Sequence, residues 1–461
     1  MKIIICGAGE VGTTIARQLA RENIDVRVID INEAQVQKID QDYDVRGIVG
    51  HASHPSILKK AGAQDADMLI AVTQSDEVNM VACQVAYSLF NVKRRIARLR
   101  HAGYLAQNDT QLYAAEHLPI DIIISPEIEI ADGIERRLRT PGAFDMVSLA
   151  GDRIELLGIH TLSADAPVVG KSITEIASDC ELKHTTVLAI IRNGRCFAPG
   201  DDEVIELNDD VYILARTDQV DAVLSAFDHA EKAASKIIIV GCGNVGLHLA
   251  RKLQSSFRKL NIKVIERDPS RAQFSARELG EDIVVLRGDA LDRELLNEAG
   301  VGTADTIITV TDDDETNIFA AVLAKQAGCS RAITLVNKRS YETLLPTLGI
   351  NVAVNPSTLT VSTVLRHIRH DSISALYTLR EDFGEVIEAD ITSSSRLAGQ
   401  SISELDLPRG MKIGAVIRGD EVIFPQDAVK MQVGDRVVAL VAYSSIRLAE
   451  ALLGAKRARL L

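Results

Sequence analysis

Residues 2–12 read KIIICGAGEVG, and this stretch decides the fold that the rest of the chain adopts. A short apolar run, typical of a buried strand, leads directly into a G-x-G-x-x-G turn and then into a helical pattern. In such a turn the first glycine permits the tight bend, the second lets the backbone approach a phosphate, and the third lets the helix pack closely on its strand. The N–H groups at the start of the helix favour a bound phosphate. The stretch therefore predicts a Rossmann-like nucleotide-binding domain.

A second copy of this motif occurs at residues 237–246, which read IIIVGCGNVG. In each copy an acid ends the next apolar run: Asp30 stands 18 residues beyond the third glycine in copy one, and Glu266 stands 20 residues beyond it in copy two. An acid at this place bonds the ribose hydroxyls and repels a 2′-phosphate, which favours NAD or an adenosine nucleotide over NADP. Arg267 weakens that inference in copy two. The alternative is that both acids are merely solvated strand ends.

The duplication continues beyond the glycine turns. Residues 288–290 (GDA) stand in the place of residues 50–52 (GHA), and residues 310–317 (VTDDDETN) repeat residues 72–79 (VTQSDEVN). The offset is 238 in this region and 234 at the glycines, so the chain is an internal duplication with a few inserted residues. These turns follow strands, at the edge of the sheet where ligands bind. Asn79 and Asn317 are therefore predicted nucleotide contacts. Ser75 and Asp76 lie in the same turn, and either is equally consistent with a helix N-cap.

The two predicted pockets differ in charge. Arg98, in the fifth predicted strand, could reach a phosphate in copy one, and Thr334 is predicted to take its place in copy two. Glu10 stands at the start of the first glycine-turn helix, whereas the neutral Asn244 stands at the matching place. Because a carboxylate there repels a further phosphate, we expect copy two to accommodate a triphosphate better than copy one.

The order of strands and helices predicts the architecture. Strand-like runs alternate with helical segments, which indicates a parallel, doubly wound sheet; in the first half these runs are 3–6, 26–30, 46–49, 68–72, 95–99 and 121–124. Segments 127–139 and 357–369 follow a Pro and are helical by period, so they are predicted linking helices. Each leads into a unit of roughly 85 residues with short strands around turns, joined to a helix. These units also repeat, since residues 169–175 (VGKSITE) match residues 398–404 (AGQSISE).

The fold class is therefore α/β, with two Rossmann-like doubly wound parallel-sheet domains, each followed by a small α+β domain, in the order N1-C1-N2-C2. The predicted boundaries are 1–125 for N-domain 1, 126–140 for a linking helix, 141–228 for C-domain 1, 229–235 for a small polar linker, 236–355 for N-domain 2, 356–370 for the second linking helix and 371–461 for C-domain 2.

Composition excludes several function classes. The 461 residues exceed what one core usually organises. A net charge of −13 argues against a nucleic-acid binder, which needs a basic face. The N-terminus lacks the pattern of a signal peptide and no apolar run reaches the length of a membrane span, so we expect a soluble, intracellular chain. The six dispersed cysteines indicate a reducing compartment, and His367 and His370 lack the acidic neighbours that would favour a metal site.

A glycine motif of this kind most often serves hydride transfer, so an NAD-dependent dehydrogenase with duplicated Rossmann domains is the alternative function. Such an enzyme needs an acid or base placed against the nicotinamide. A duplicated catalytic apparatus should repeat that residue, yet His184 in the first small unit has Lys412 or Ile413 in its place in the second. Only the nucleotide contacts repeat. The sequence therefore predicts no catalytic residue.

The paired glycine motifs, the GDA and T-x-x-D-E-x-N turns and the VGKSI segment together resemble regulator-of-potassium-conductance (RCK) domains over essentially the whole chain. Two tandem copies in one soluble chain are similar to the Trk-type potassium uptake regulatory proteins of bacteria. This resemblance implies a peripheral subunit on the cytoplasmic side of the inner membrane that binds NAD or NADH, and in some members ATP or ADP. It implies that the subunit gates a membrane-embedded Trk-type potassium transporter subunit. Because family assemblies are rings of eight nucleotide domains, it also implies a homotetramer.

The resemblance also implies which residues contact the nucleotide. They are Gly7, Ala8, Gly9, Glu10, Val11, Gly12, Asp30, Thr73, Gln74 and Arg98 in copy one, and Gly241, Cys242, Gly243, Asn244, Val245, Gly246, Glu266, Thr311 and Asp312 in copy two. His51 departs from the GDA pattern.

Overall fold

The computed structural model describes residues 1–21, 24–105, 112–114, 116–179, 182–229, 234–257, 260–342, 344–350, 352–368, 373–380, 383–402, 405, 407–425 and 430–454. The chain divides into two compact units: residues 1–132 with 236–365, and residues 133–235 with 366–459. Like domains therefore group together, because the chain passes from the first unit to the second within each linking helix. Cys180, His370 and residues 230–233 of the predicted linker lie outside the described residues.

The first unit contains a six-stranded parallel sheet from each copy. In copy one the strand order is β3-β2-β1-β4-β5-β6, the doubly wound arrangement that the sequence predicts. Its strands are β1 Lys2–Cys6, β2 Asp25–Asp30, β3 Arg46–Val49, β4 Met68–Ala71, β5 Arg94–Arg98 and β6 Ile122–Ile124, and its helices are α1 Glu10–Arg21, α2 Glu33–Asp42, α3 Pro55–Lys60, α4 Asp76–Phe90, α5 Ala102–Leu105 and α6 Pro126–Arg139. Each strand lies within one residue of its predicted run.

Copy two repeats this topology. Its strands follow the first small domain in the chain, and its sheet has the order β14-β13-β12-β15-β16-β17. Its strands are β12 Lys236–Val240, β13 Asn261–Glu266, β14 Val284–Arg287, β15 Thr306–Thr309, β16 Arg331–Leu335 and β17 Val352–Val354, and its helices are α9 Asn244–Ser256, α10 Pro269–Leu279, α11 Arg293–Ala299, α12 Asp314–Gln326, α13 Arg339–Glu342 and α14 Pro356–Ile368. The central strands of both sheets are buried on both faces, which explains their continuous apolar runs.

The second unit contains two five-stranded antiparallel sheets, one from each small domain, in the orders β10-β9-β11-β8-β7 and β18-β19-β22-β20-β21. The first consists of β7 Asp145–Leu149, β8 Ile154–His160, β9 Thr185–Arg192, β10 Arg195–Phe197 and β11 Asp210–Arg216, with helices α7 Ile173–Ser178 and α8 Val220–Ala226; the second consists of β18 Ile373–Arg380, β19 Gly384–Asp390, β20 Met411–Arg418, β21 Glu421–Ile423 and β22 Arg436–Ala442, with helix α15 Ile446–Leu453. The predicted α+β class is confirmed for both.

One hydrophobic core joins the two small domains. Leu188 and Leu214 of the first sheet share it with Leu440 of the second. At Gly414 a built Cβ would lie 2.8 Å from a Leu188 methyl carbon, and Thr186 donates a 3.0 Å hydrogen bond to the Gly414 carbonyl. Because this core is shared, the two sequence halves of the chain are not independent folding bodies.

No helix among the described residues is long and apolar enough to cross a bilayer.

The charged form of the Glu155 carboxylate, on β8, destabilises the folded state. Its side chain is buried, Oε1 accepts a 3.0 Å hydrogen bond from Ser148, and Oε2 has no partner among the described residues. Burial raises the pKa of Glu155 to about 6, because the charged form loses its hydration, although the Ser148 hydroxyl and Arg136 favour that form. Since the pKa in the folded state exceeds the unfolded value, the cost is absent at low pH and complete above about pH 6.

We therefore predict that Glu155→Gln changes the pH dependence of stability. Between about pH 4 and 7.5, the free energy of unfolding of the variant should rise by about 2 kcal/mol relative to the wild type. Urea unfolding at several pH values measures this difference. A difference that stays constant across that range would show that the wild-type carboxylate is not destabilised by burial.

Candidate functional site: two nucleotide crevices

Each glycine turn brings its helix unusually close to the preceding strand. Gly7 has φ +113° and Gly241 has φ +92°, a backbone conformation that favours glycine. A Cβ built on Gly12 would lie 1.9 Å from the carbonyl oxygen of Gly7, and one built on Gly246 would lie 1.9 Å from that of Gly241. The first and third glycines therefore serve the turn and the close packing, as the motif predicts.

The second glycine of each turn faces open space. A Cβ built on Gly9 or Gly243 would meet no atom within 4 Å, and neither residue has the positive φ of the first glycine. The helix begins at the next residue, Glu10 or Asn244, so N–H groups of its first turn, which have no partner within the helix, border this space. The backbone thus leaves a cradle with room for a phosphate.

The two acids close the turns from the neighbouring strand. Asp30 accepts hydrogen bonds from the backbone N–H of Ala8 at 2.6 Å and of Asn32 at 2.8 Å. Glu266 does the same with the backbone N–H of Cys242 at 2.7 Å and of Asp268 at 2.9 Å. The longer Glu side chain therefore reproduces the geometry of Asp. Both acids are half-buried at the end of the second strand of their sheet, so they are not merely solvated strand ends.

The crevice of copy one has a volume of about 680 Å³, within the range of small-molecule sites. The structure brings most of its predicted contacts together as lining residues: Gly7, Gly9, Glu10, Val11, Asp30, Thr73, Gln74 and Arg98. Ala8 and Gly12 are buried within the turn. Asn337, Ser357 and Thr360 of copy two complete the lining, a contribution that the sequence does not reveal.

His51 also lines the crevice, where copy two has Asp289. Its Nδ1 lies 2.8 Å from the Ser53 hydroxyl, and its ring stacks on His54 with centroids 4.8 Å apart. The departure from the GDA pattern thus replaces a carboxylate with an imidazole.

In copy two the predicted residues assemble in the same way. We refer to the space that the 241–246 turn borders, with Glu266 and Thr311 beside the turn, as the second crevice; Thr311 lies two residues beyond the end of β15. A Cβ on Gly241 would lie 2.9 Å from the Thr311 methyl carbon, so these two residues are in contact. Asp312 follows Thr311 and is exposed.

The prediction that Asn79 and Asn317 contact the nucleotide is wrong. Both side chains are fully buried and bond the protein instead. The Asn79 carbonyl oxygen accepts from Thr73 N at 2.9 Å and from Thr73 Oγ1 at 2.7 Å, and its amide donates to the Arg98 carbonyl at 2.8 Å. Asn317 forms the same bonds with Thr311 and with the carbonyl of Leu335. These asparagines position the loop rather than the ligand.

The same bonds correct the predicted equivalence of Arg98 and Thr334. Asn79 reaches the carbonyl of Arg98, whereas Asn317 reaches that of Leu335. In the sheets Ala71 pairs with Ala97 and Thr309 pairs with Thr334. Leu335 is therefore the counterpart of Arg98, and one residue is missing from copy two between these strands.

Arg98 is a cation poised for an anionic ligand. It lines the crevice, and its buried Nε has no hydrogen-bond partner among the described residues. Burial, and next the nearby Arg100, lower the pKa of Arg98. Because a buried unpaired donor is costly, a phosphate oxygen there would stabilise it. This donor and the open glycine cradle show that the residues present fit a nucleotide.

Two further acids, Asp76 and Asp314, hold the loops beside the crevices. Ser75 is the N-cap of α4, accepting from Val78 N at 3.2 Å. Asp76 instead accepts from the backbone N–H groups of Arg100 and His101, both at 2.9 Å. Asp314 repeats this with the residues after β16. The repeated D-E pair in the sequence was the signal for this latch.

Comparison with known proteins agrees with this geometry. The TrkA-N domain model matches residues 3–126 and 237–356, and the TrkA-C domain model matches residues 157–228 and 386–454. The chain is 43% identical over 452 residues to "Trk system potassium uptake protein TrkA" of Azorhizobium caulinodans, covering 98% of each chain. It is 39% identical over 441 residues to the protein of the same name from Vibrio alginolyticus, covering 95% of each.

Among solved structures, the chain is similar to the "GsuK channel bound to NAD" with a TM-score of 0.59 and 20% identity, covering 99% of this chain and 79% of that one. The "GsuK RCK domain" gives a TM-score of 0.59 at 18% identity, covering 99% and 95%. These two likenesses show the fold.

The geometry of the glycine turns predicts that an added methyl group lowers stability at the third glycine and weakens nucleotide binding at the second. Gly12→Ala or Gly246→Ala should lower the free energy of unfolding by about 3 kcal/mol, because the methyl group meets a carbonyl oxygen. Gly9→Ala and Gly243→Ala should leave stability within about 1 kcal/mol and weaken nucleotide binding, because the methyl group enters the phosphate cradle. Thermal unfolding and calorimetric titration with NADH measure the two effects. Full binding by the Gly9 and Gly243 variants would contradict this placement of the ligand.

Proposed function

Since this chain belongs to the Trk system potassium uptake protein TrkA family, we propose that it is the nucleotide-sensing regulatory subunit of a potassium uptake system. Its ligand is NAD or NADH, and ATP and ADP compete for the same crevices. Its partner is a membrane-embedded Trk-type potassium transporter subunit, and it acts at the cytoplasmic face of the inner membrane. The relatives named as potassium uptake proteins, and a solved channel of this fold bound to NAD, support the proposal.

The observation that carries the proposal is that the two copies repeat the geometry that would bind a nucleotide but repeat no reacting group. Both copies keep the glycine cradle, the acid bonded to the turn and the Asn-held loop. The acids that both copies repeat near the described crevices, Asp30 and Glu266 at the turns and Asp76 and Asp314 beside the loops, are bonded to backbone N–H groups. Among the described residues, neither copy therefore repeats a free acid or base that could react with a substrate. Conserving a binding geometry twice without a reacting group favours a sensor over a dehydrogenase.

We propose that the predicted residues of both crevices contact the ligand and that the domains have the predicted boundaries. A ligand shifts a conformational equilibrium only through its different affinities for the two states. In crevice one the lining comes from both copies, since Asn337, Ser357 and Thr360 line it together with the glycine turn of copy one. A nucleotide there contacts both N-domains, so the kind of nucleotide bound can change how the two N-domains are held against each other. Coupling of about 1–3 kcal/mol is typical of such regulation.

The resemblance to ring-forming families leads us to propose a homotetramer, and one surface supports it. Val81 and Leu89, eight residues apart on one face of α4, are 43% and 61% exposed. Phe319 on α12 is the counterpart of Val81 and is 58% exposed. An apolar surface that recurs on the same helix of each copy suits association with further copies of this chain.

We predict that Val81→Asp combined with Phe319→Asp converts the tetramer to a smaller species, because the buried charge opposes association. Light scattering after size-exclusion chromatography measures the mass. Leu162→Asp is the matched control, since Leu162 is 57% exposed but belongs to a small domain. A wild-type monomer, or a double variant of unchanged mass, would refute this interface.

Potassium flux tests the function itself. We predict that flux through the reconstituted membrane partner changes when this chain is added, and that NADH, NAD, ATP and ADP alter the size of that change. The absorbance of NADH should stay constant during the assay. Flux that is indifferent to the chain would contradict the regulatory role, and nicotinamide oxidation with a candidate substrate would favour the dehydrogenase.

A further inference from the structure

We propose that Arg271 binds phosphate in the second crevice and makes that crevice selective for adenosine nucleotides with a free terminal phosphate. The inference rests on the proposed function, which places a nucleotide there. It adds a residue that neither the glycine motif nor the acid at the strand end identifies.

Arg271 lies in the first turn of α10 and its guanidinium rests on the glycine turn. Nε donates a 2.7 Å hydrogen bond to the carbonyl of Cys242, and Nη2 lies 3.3 Å from the Asn244 side-chain oxygen. The ring of Phe274 lies 5.4 Å from the guanidinium carbon, which further restrains it. Asn244 is the first residue of α9, so the positive charge borders the N–H groups that would hold a phosphate.

Copy one has the opposite charge at this place. The counterpart of Arg271 is Gln35, which lines the first crevice, and the counterpart of Asn244 is Glu10. The pair beside the glycine turn is therefore negative in copy one and positive in copy two. Since the backbone of the two turns is alike, this exchange of side chains is the difference that a phosphate meets there.

The other arginine of the duplicated site does not compensate. Arg98 serves crevice one from the end of β5, and Leu335 replaces it in copy two. In the loop after β15, Asp313 is the N-cap of α12, where its carboxylate accepts from Thr316 N at 2.7 Å. The guanidinium of Arg271 thus lies at the glycine turn of copy two, whereas that of Arg98 lies at the end of the fifth strand in copy one.

These positions favour different ligands. Each phosphate of NADH is bridged on both sides, by an ester to a ribose and by an anhydride to the other phosphate, whereas the terminal phosphate of ADP or ATP is free and carries more charge and more acceptor oxygens. A guanidinium recognises such a group with paired, charge-assisted hydrogen bonds. Crevice two should therefore prefer ADP and ATP over NADH more strongly than crevice one does. This extends the expectation from Asn244 that copy two accommodates a triphosphate better.

The test uses the full chain with crevice one blocked by Gly9→Val, whose side chain enters the open cradle. In that background we compare the affinities for ADP and NADH by calorimetry, with and without Arg271→Gln. We expect Arg271→Gln to weaken ADP binding about tenfold or more, in line with a lost charged hydrogen bond, and NADH binding by less than about threefold. Arg271→Lys should retain part of the preference, because it keeps the charge.

A reciprocal variant guards against a merely structural effect, since Arg271 also holds the Cys242 carbonyl. Gln35→Arg in a Gly243→Val background should raise the ratio of ADP to NADH affinity at crevice one. Equal loss of both ligands in Arg271→Gln, or no change of ratio in Gln35→Arg, would overturn the inference. Failure of wild-type protein to bind either nucleotide would instead refute the proposed function.

Discussion

The close approach of each glycine-turn helix to the strand before it is the constraint on which the rest of the structure depends. The third glycine lies against the carbonyl of the first, with no room for even one methyl group. This contact aims the helix N-terminus at the end of the sheet and leaves the second glycine facing open space. The acid of the neighbouring strand then bonds the turn from the other side, at 2.6 Å in copy one and 2.7 Å in copy two. The crevice is thus a consequence of backbone packing, which explains why both copies keep it.

Duplication preserved this frame while the charges around it diverged. The asparagine that holds the loop after the fourth strand forms the same bonds in both copies. The cation, by contrast, occurs at the fifth strand in copy one and beside the glycine turn in copy two. Two binding sites with the same backbone and different charges suit a protein that responds differently to different nucleotides. Grouping of the two N-domains in one unit brings residues of copy two into the lining of crevice one.

The sequence predicts the frame well because local patterns determine it. Apolar runs gave strand limits to within a residue, the glycines gave the turns, and the two offsets gave the duplication. It fails where spatial neighbours decide. The single-residue deletion that makes Leu335 the counterpart of Arg98 is invisible until the strands are paired. Asn79 resembles a ligand contact in sequence, yet its burial shows a structural role. Ser357, which contributes to the lining, lies 350 residues along the chain from Gly7, and no periodicity predicts such a contact.

Calorimetric titration of the full-length chain with adenine nucleotides tests the central claim, that both crevices are ligand sensors, most directly. The account predicts saturable binding with two nucleotides per chain when the ligand is one that both crevices accept. The absence of binding by NADH, NAD, ATP and ADP alike, from protein shown to be folded, would contradict it.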